Sequence, residues 1–244
     1  MLAWKLIENI LKYKVCILAA GIGSRMGSFT KVFNKALLPI NGKPAICHII
    51  DKFPDGIDIV IAVGYKKETI VEYLKHNYQK RKFEFVVVDN WDGVGSGPGY
   101  SLLCCKEHLQ IPFIQFAADT LVLEDIPNPT RNWIGLAPVK NTKRFCSVKL
   151  DGDRVTSLDD KTDNNNRFAY IGLFGVNNIV SFWDNLKSST DNFIDGEVQV
   201  SNGLSALINN ELNAKYFHWY DVGTLNAYNH ALENFPDGEP YKGS

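Results

Sequence analysis

Two rhythms of apolar and polar positions divide this chain. Val15–Ala19 is an unbroken apolar run of strand length, and Ile57–Val63, Phe83–Val88 and Phe113–Ala117 follow at regular intervals. Between them, Pro44–Phe53, Glu68–Asn77 and Tyr100–His108 read as helices, the second with Ile70, Val71 and Leu74 on one face. Alternation of this kind predicts an α/β fold: a mixed, mostly parallel twisted sheet with right-handed crossovers and helices on both faces. Ligands in such sheets bind beyond the carboxyl ends of the strands, which directs attention to loops 20–43, 64–67, 89–99 and 118–120.

After residue 130 the rhythm shortens. Trp133–Val139, Phe145–Leu150, Arg154–Ser157 and Tyr170–Phe174 read as strands, with Asp151-Gly152 as a hairpin turn. Short helices are expected around Ile179–Leu186 and Asn202–Asn209, then a strand at Tyr216–Trp219 and a helix from Leu225 to about Glu233. Thr162–Asn166 looks like a mobile polar loop. No repeat, low-complexity stretch or composition shift marks a boundary. The expectation is a single domain over 1–244, its first half (about 1–130) distinct from a β region inserted over the sheet (about 131–244).

The first strand breaks into Gly21, Gly23 and Gly27, which permit tight turns and close backbone approach to a ligand. Ser24, Arg25, Lys31 and Lys35 follow. No carboxylate lies between Glu8 and Asp51, whereas Lys12, Lys14, Arg25, Lys31, Lys35 and Lys43 all fall in that gap. A glycine loop with cations and no acids suits a polyphosphate. It is not a dinucleotide fingerprint, because the third glycine comes one residue late and the downstream region is basic. It is not a P-loop either, because Gly42-Lys43 is followed by Pro44. Lys31 and Lys43 read as solvated surface charge.

Composition narrows the classes. Of 244 residues 45% are apolar and 22% charged, and 26 basic against 27 acidic residues argue against bulk nucleic-acid binding. Five cysteines without C-x-x-C spacing fit reduced, apolar thiols in a cytoplasmic protein, with no zinc site. Leu2, Leu6, Ile7, Ile10 and Leu11 have helical spacing, but Lys5, Glu8 and Asn9 interrupt too early for a signal peptide. No run approaches the ~18 apolar residues of a membrane span. The five histidines lack partners at metal or triad spacing, and His76 suits a helix C-terminus. Trp133, Trp183 and Trp219 read as core, whereas Trp91 lies in the loop before Gly95, where it could face a ligand. Pro240–Ser244 carries no stop signal of its own, so a longer protein is compatible with the sequence.

Leu18-Ala-Ala-Gly-Ile-Gly-Ser-Arg-Met26, followed by Asn34-Lys-Ala-Leu-Leu-Pro-Ile-Asn-Gly-Lys-Pro44, resembles the signature of the nucleotidyltransferase family. That family comprises sugar-1-phosphate nucleotidyltransferases and related small cytidylyltransferases, and Asn34 stands where its proline is usual. Gly95-Ser-Gly-Pro-Gly99 resembles the loop beside the nucleotide base, and Phe113–Asp119 the strand ending in a metal-binding aspartate. Asp159-Asp-Lys161 stands where the family has Glu-Lys-Pro. Ala169-Tyr-Ile-Gly172, Gly196-Glu197 and Trp219–Thr224 are similar to its A-Y-I-G, G-E and W-x-D-[VT]-G-T segments.

The resemblance implies a Rossmann-like, GT-A-like nucleotidyltransferase fold and transfer of NMP from an NTP to a phosphate monoester, with release of pyrophosphate. It implies Arg25 and Lys35 as catalytic cations, and Leu18, Ala19, Ala20, Gly21, Gly23, Ser24, Gly64, Gly95 and Ser96 around the nucleotide. Asp119 and Asp221 would hold Mg²⁺, and Lys161, Tyr170, Gly172 and Glu197 would contact the acceptor. The chemistry fits, because such a transfer needs positioning and charge neutralisation rather than a covalent intermediate. Two carboxylates after strands suit a hard cation that also takes substrate oxygens. The NTP would be CTP, UTP or dTTP. The acceptor is first a sugar-1-phosphate; the alternative is CTP with a phosphocholine-like alcohol or phosphonate. Neither nucleic acid nor membrane is a partner, and a homo-oligomer is compatible. A non-catalytic nucleotide-sugar sensor would be expected to lose these aspartates or Lys35. A metal-dependent glycosyltransferase would show a D-x-D, and Asp151-Gly-Asp153 is a hairpin turn.

Overall fold

A computed structural model describes residues 12–236. The N-terminal helical spacing lies outside them, as does the Pro240–Ser244 end. The chain builds a nine-stranded mixed sheet from β1 (Lys14–Ala19), β2 (Ile59–Val63), β3 (Phe83–Val87), β4 (Phe113–Ala117), β6 (Trp133–Pro138), β7 (Cys146–Asp151), β8 (Arg154–Asp160), β9 (Phe168–Val176) and β10 (Asn213–Tyr216). Two strands stand apart as a ribbon, β5 (Thr120–Val122) and β11 (Trp219–Asp221). The strand order is β3-β2-β1-β4-β9-β6-β10-β8-β7. β3, β2, β1 and β4 run parallel, and β9 then joins antiparallel to β4, with Leu173 opposite Phe116. The parallel expectation therefore holds in the first half of the chain, while antiparallel pairs dominate the second.

Period-2 patterning explains how the sheet is covered on both faces. Val15, Ile17 and Ala19 of β1 join one core with Ile59, Ile61 and Val63, whereas Cys16, Leu18, Val60 and Ala62 join the other. Helices α1 (Ala45–Ile50) and α2 (Lys67–Asn77) pack on the first face, the latter through Ile70 and Leu74. On the second lie α3 (Pro98–Cys104) and α4 (Ile179–Ser188), where Phe113, Phe174, Phe182 and Trp183 form an aromatic cluster. Asn178 caps α4 through Ser181 N–H, and Thr224 caps α5 (Leu225–Asn234) through Ala227 N–H.

Most sequence-based elements survive with shifted bounds, but the strand expected at Tyr216–Trp219 straddles the break between β10 and β11, which pair in different sheets. The helix expected from Tyr100 begins at Pro98 and gives way to a 3₁₀ turn at Lys106–His108. β9 runs two residues further each way than the apolar core suggests, because its start pairs with β6 and β7 and its end with β4. β5 and the small pairing of Phe193–Ile194 with Glu197–Val198 are too short for a periodic signal. Thr162–Asn166 is tied down: Asn164 and Asn166 hydrogen-bond to Ser147 and Asp159, and Thr142 donates to the Thr162 carbonyl at 2.7 Å. All five cysteines are free thiols, four of them buried. Among the described residues no helix is long and apolar enough to cross a membrane.

Candidate active site

β1 ends at the glycine loop, and three polar side chains hold that loop from behind. Thr30, 3% exposed, donates toward the Gly23 and Gly27 carbonyls. Tyr65 donates to the Thr30 carbonyl at 3.0 Å, and its own N–H reaches the Ala20 carbonyl at 2.8 Å. Asn34 donates to the carbonyls of Ala19 and Tyr65. Gly23 has φ +68°, and a Cβ there would meet the Lys35 side chain at 3.0–3.2 Å, so the loop and Lys35 interlock at a position only glycine fills comfortably.

Asp119 follows β4, and Asp221 ends β11. The pairing of β11 with β5 sets Asp221 opposite Thr120, and Val222 N–H donates to the Asp119 carbonyl at 2.9 Å. Both carboxylates converge over Gly223: a Cβ there would sit 2.8 Å from Asp119 Oδ2 and 2.9 Å from Asp221 Oδ1. Lys35 Nζ lies 2.6 Å from Asp119 Oδ2. Burial pushes the Asp119 carboxyl up, but the adjacent Lys35 and then Arg25 outweigh it and hold the group below its usual range. Asp221 goes the other way, raised by burial and then by the Asp119 charge, with Gly223 N–H opposing. Among the described residues no third His, Cys, Asp or Glu joins the two carboxylates, so a hard cation here would have to take further oxygens from elsewhere.

Two cavities meet here. The larger, about 580 Å³, is lined by Leu18, by the glycine loop from Ala20 to Arg25, by Trp91 and by Ser96 to Pro98. The smaller, about 180 Å³, extends over Tyr170, Gly172, Ser201 and Trp219. Arg25, Asp119, Arg144 and Lys161 border both. Three cations and one carboxylate thus mark the seam between the two cavities.

The sequence-derived site residues sort by this geometry. Leu18, Ala20, Gly21, Gly23, Ser24, Arg25, Lys35, Ser96, Asp119 and Glu197 line the larger cavity, Gly172, Tyr170 and Asp221 the smaller, and Lys161 both. Ala19, Gly64 and Gly95 line neither. Ala19 faces the core opposite Leu18, because neighbours on a strand point to opposite faces. Gly64 is a packing glycine, since a Cβ there would strike the Ala20 carbonyl at 2.8 Å and Trp91 at 2.9 Å. Gly95 donates its N–H to the Gly196 carbonyl and so anchors the 193–198 hairpin. The Tyr170 hydroxyl donates to Gln115 Oε1 at 2.9 Å, so that side chain serves as wall rather than as a free donor. Burial, then the Cys146, Asp160 and Asp119 charges, keep its phenol neutral. Glu197 accepts from Gln199 and borders the larger cavity rather than the smaller one.

Sequence reasoning missed Arg144, Asp195 and Gln199. Asp195 Oδ2 lies 2.7 Å from Lys161 Nζ. Arg144 has no local signature separating it from Arg131, Arg154 or Arg167. Gly97, with φ +112°, and Gly99 have a packing reason as well, since a Cβ on either would meet Val198 or Glu197 at 2.8 Å. His108 pairs with Glu84, His218 with Glu124, and His48 with the Ile40 carbonyl, all away from the seam.

Comparison with known proteins agrees with this architecture. Residues 15–135 match the MobA-like NTP transferase domain. The Bifunctional protein GlmU of Methanococcus vannielii is 29% identical over 240 residues, covering 89% of this chain and 55% of that protein. The chain spans about half the length of such curated relatives. The D-glycero-alpha-D-manno-heptose 1-phosphate guanylyltransferase of Campylobacter jejuni is 28% identical over 152 residues, 59% of this chain and 67% of that one. Among solved structures, a UDP-glucose pyrophosphorylase complexed with UDP-glucose superposes with a TM-score of 0.77 at 18% identity, over 92% of this chain and 98% of that chain, a likeness of fold. With the signature loop, the two strand-end aspartates and this domain match together, the chain belongs to the nucleotidyltransferase family.

Proposed function

We propose that this chain transfers NMP from an NTP onto the phosphate of a sugar-1-phosphate, releasing pyrophosphate. The observation that carries the proposal is the seam where Arg25, Asp119, Arg144 and Lys161 border both cavities, with Lys35 and Asp221 beside them. An oxygen of the acceptor phosphate forms a bond to the α-phosphorus, and the bond from that phosphorus to the bridging oxygen breaks, so the electron pair leaves with pyrophosphate.

In this reading the glycine loop cradles the triphosphate through its N–H groups, and Trp91 with Ser96–Pro98 borders the base. Arg25 grips phosphate oxygens in its fork, and Lys35 serves as a compact charge near the α-phosphate. Lys161 and Arg144 orient the acceptor phosphate in line with its target. Each such cation 4 Å from a phosphoryl oxygen contributes ~4 kcal/mol at an effective dielectric of ~20. Contacts that strengthen as charge builds on the equatorial oxygens raise kcat. Asp119 and Asp221 would hold Mg²⁺, which when bound supplies charge neutralisation of the phosphates. The free cradle over Gly223 and the hard-oxygen donor pair support that assignment.

A hydroxyl-rich acceptor suits the smaller cavity. Ser201 and Trp219 of its wall each carry a buried polar atom without a protein partner, a condition that costs ~1–3 kcal/mol when left unmet. The sequence likeness to a heptose 1-phosphate guanylyltransferase supports the same class. Five free thiols suit a cytoplasmic enzyme. The test is pyrophosphate release with each of CTP, UTP, dTTP, ATP and GTP, Mg²⁺, and either a panel of sugar-1-phosphates or phosphocholine. One NTP reacting with a sugar-1-phosphate is the expected result. Turnover with phosphocholine alone would replace the sugar acceptor, and none with any pair would overturn the proposal.

A further inference from the structure

We propose that Asn34 is the positioning residue for Lys35, and that it aims the lysine by setting the start of the turn that carries it. Resting on the reading of Lys35 as the α-phosphate cation, this assigns a task to the position where the nucleotidyltransferase signature has proline. Asn34 is fully buried. It is the N-terminal cap of the Lys35–Leu37 3₁₀ turn, with φ −66° and ψ 141°, and its Oδ1 accepts the Ala36 N–H at 2.9 Å. Its Nδ2 donates to the Tyr65 carbonyl at 2.7 Å and to the Ala19 carbonyl at 3.2 Å. One amide therefore fixes the Lys35 turn to the end of β1, where the glycine loop departs, and to the loop after β2.

Three features make this more than local packing. A side-chain amide has one acceptor oxygen and two N–H donors, and here both ends are engaged by backbone from three separate segments. The Lys35 stem lies against Gly23, so rotating the turn would move the ammonium and the glycine loop relative to each other. The backbone also matches what proline would impose: φ is −66° at Asn34, and Phe33 before it is extended at φ −125° and ψ 155°. Asparagine reaches by hydrogen bonds the geometry that a pyrrolidine ring would fix covalently.

The experiment compares Asn34→Ala, Asn34→Pro and Asn132→Ala in the full chain. Asn132 is an equally laced asparagine far from the seam: it donates to the Asn210 carbonyl and accepts from the N–H groups of Asn177 and Asn178. Amine labelling of Lys35, read by peptide mass spectrometry against exposed Lys31, reports its placement without reference to activity. In N34A the labelling rate should rise at least ~5-fold and kcat fall ~10-fold or more, with both KM values within ~3-fold, because about an ångström of misplacement is costly in a preorganised site. N34P should return both to within ~3-fold of wild type, and N132A should lower the melting temperature while leaving both unchanged. If N34A does not fold, Asn34→Asp, which keeps the acceptor and loses both donors, carries the same comparison. Labelling in N34A indistinguishable from N132A, or an N34P as perturbed as N34A, overturns the proposal. A wild-type protein without turnover would overturn the activity instead, and the labelling would still decide the role of Asn34.

Discussion

Lys35 Nζ lies 2.6 Å from Asp119 Oδ2, and each side chain is only 16% exposed. The pair couples the cation assigned to the α-phosphate with the carboxylate assigned to the metal. Lys35→Ala and Asp119→Asn should each lower kcat by ~10²–10³, the scale for losing a preorganised electrostatic group. Steady-state pyrophosphate release on purified, folded variants checks this, and near wild-type turnover in both would remove the pair from the mechanism.

Gly223 offers a way to perturb the carboxylates without changing their charge. In Gly223→Ala the new methyl meets both aspartates within 3 Å and must push them apart. The Mg²⁺ concentration for half-maximal activity should rise ~10-fold or more, while the KM for NTP at saturating metal stays within ~3-fold, since disturbing the groups that orient metal ligands costs ~10–100-fold in metal affinity. A Mg²⁺ titration like that of wild type would argue against a cation at this point.

Lys161 separates the two substrates. It pairs with Asp195, which is 71% exposed, so the pair adds only ~0–1 kcal/mol to stability. Lys161→Ala should raise the acceptor KM ~10-fold or more and leave the NTP KM within ~3-fold, with little change in melting temperature. Equal effects on both substrates would remove its assignment to the acceptor side.

Gly99→Ala tests the contact between α3 and the 193–198 hairpin. Its methyl would approach the Val198 carbonyl and side chain at 2.8 Å. Overpacking of this kind costs ~1–3 kcal/mol, visible as a shift of several degrees in thermal unfolding. An unchanged melting temperature would show that the hairpin is free to move away.

Local signals sufficed wherever one segment carries its own chemistry. Gly21, Gly23, Arg25 and Lys35 were legible because a glycine turn after an apolar strand, followed by unopposed cations, has few other uses. Gly64 carried the same signal and is a packing glycine, since sequence does not say whether a tight approach is made by a ligand or by Trp91, while Gly95, at φ +80°, ties its N–H to the Gly196 carbonyl. Tyr170 was legible as a strand residue but not as the partner of Gln115, because side-chain pairing across a sheet depends on register. Arg144 carries no motif signal of its own and gains meaning only where the two cavities meet, and Asp195 gains it only through its pair with Lys161.

The sequence by itself determined the alternation of strands and helices, the two faces of the parallel half-sheet, and the presence of a glycine loop followed by unopposed cations with two aspartates downstream. Period-2 and period-3.6 patterning and glycine chemistry act over a few residues, and the linear chain records them. Tertiary structure decided which groups face one another. The short β5–β11 ribbon brings Asp221 to Asp119 across about a hundred residues of chain, Gly223 leaves room between their carboxylates, and Asn34 ties Lys35 to the ends of two strands. These contacts depend on strand register and on atoms a few ångströms apart, which no local pattern encodes.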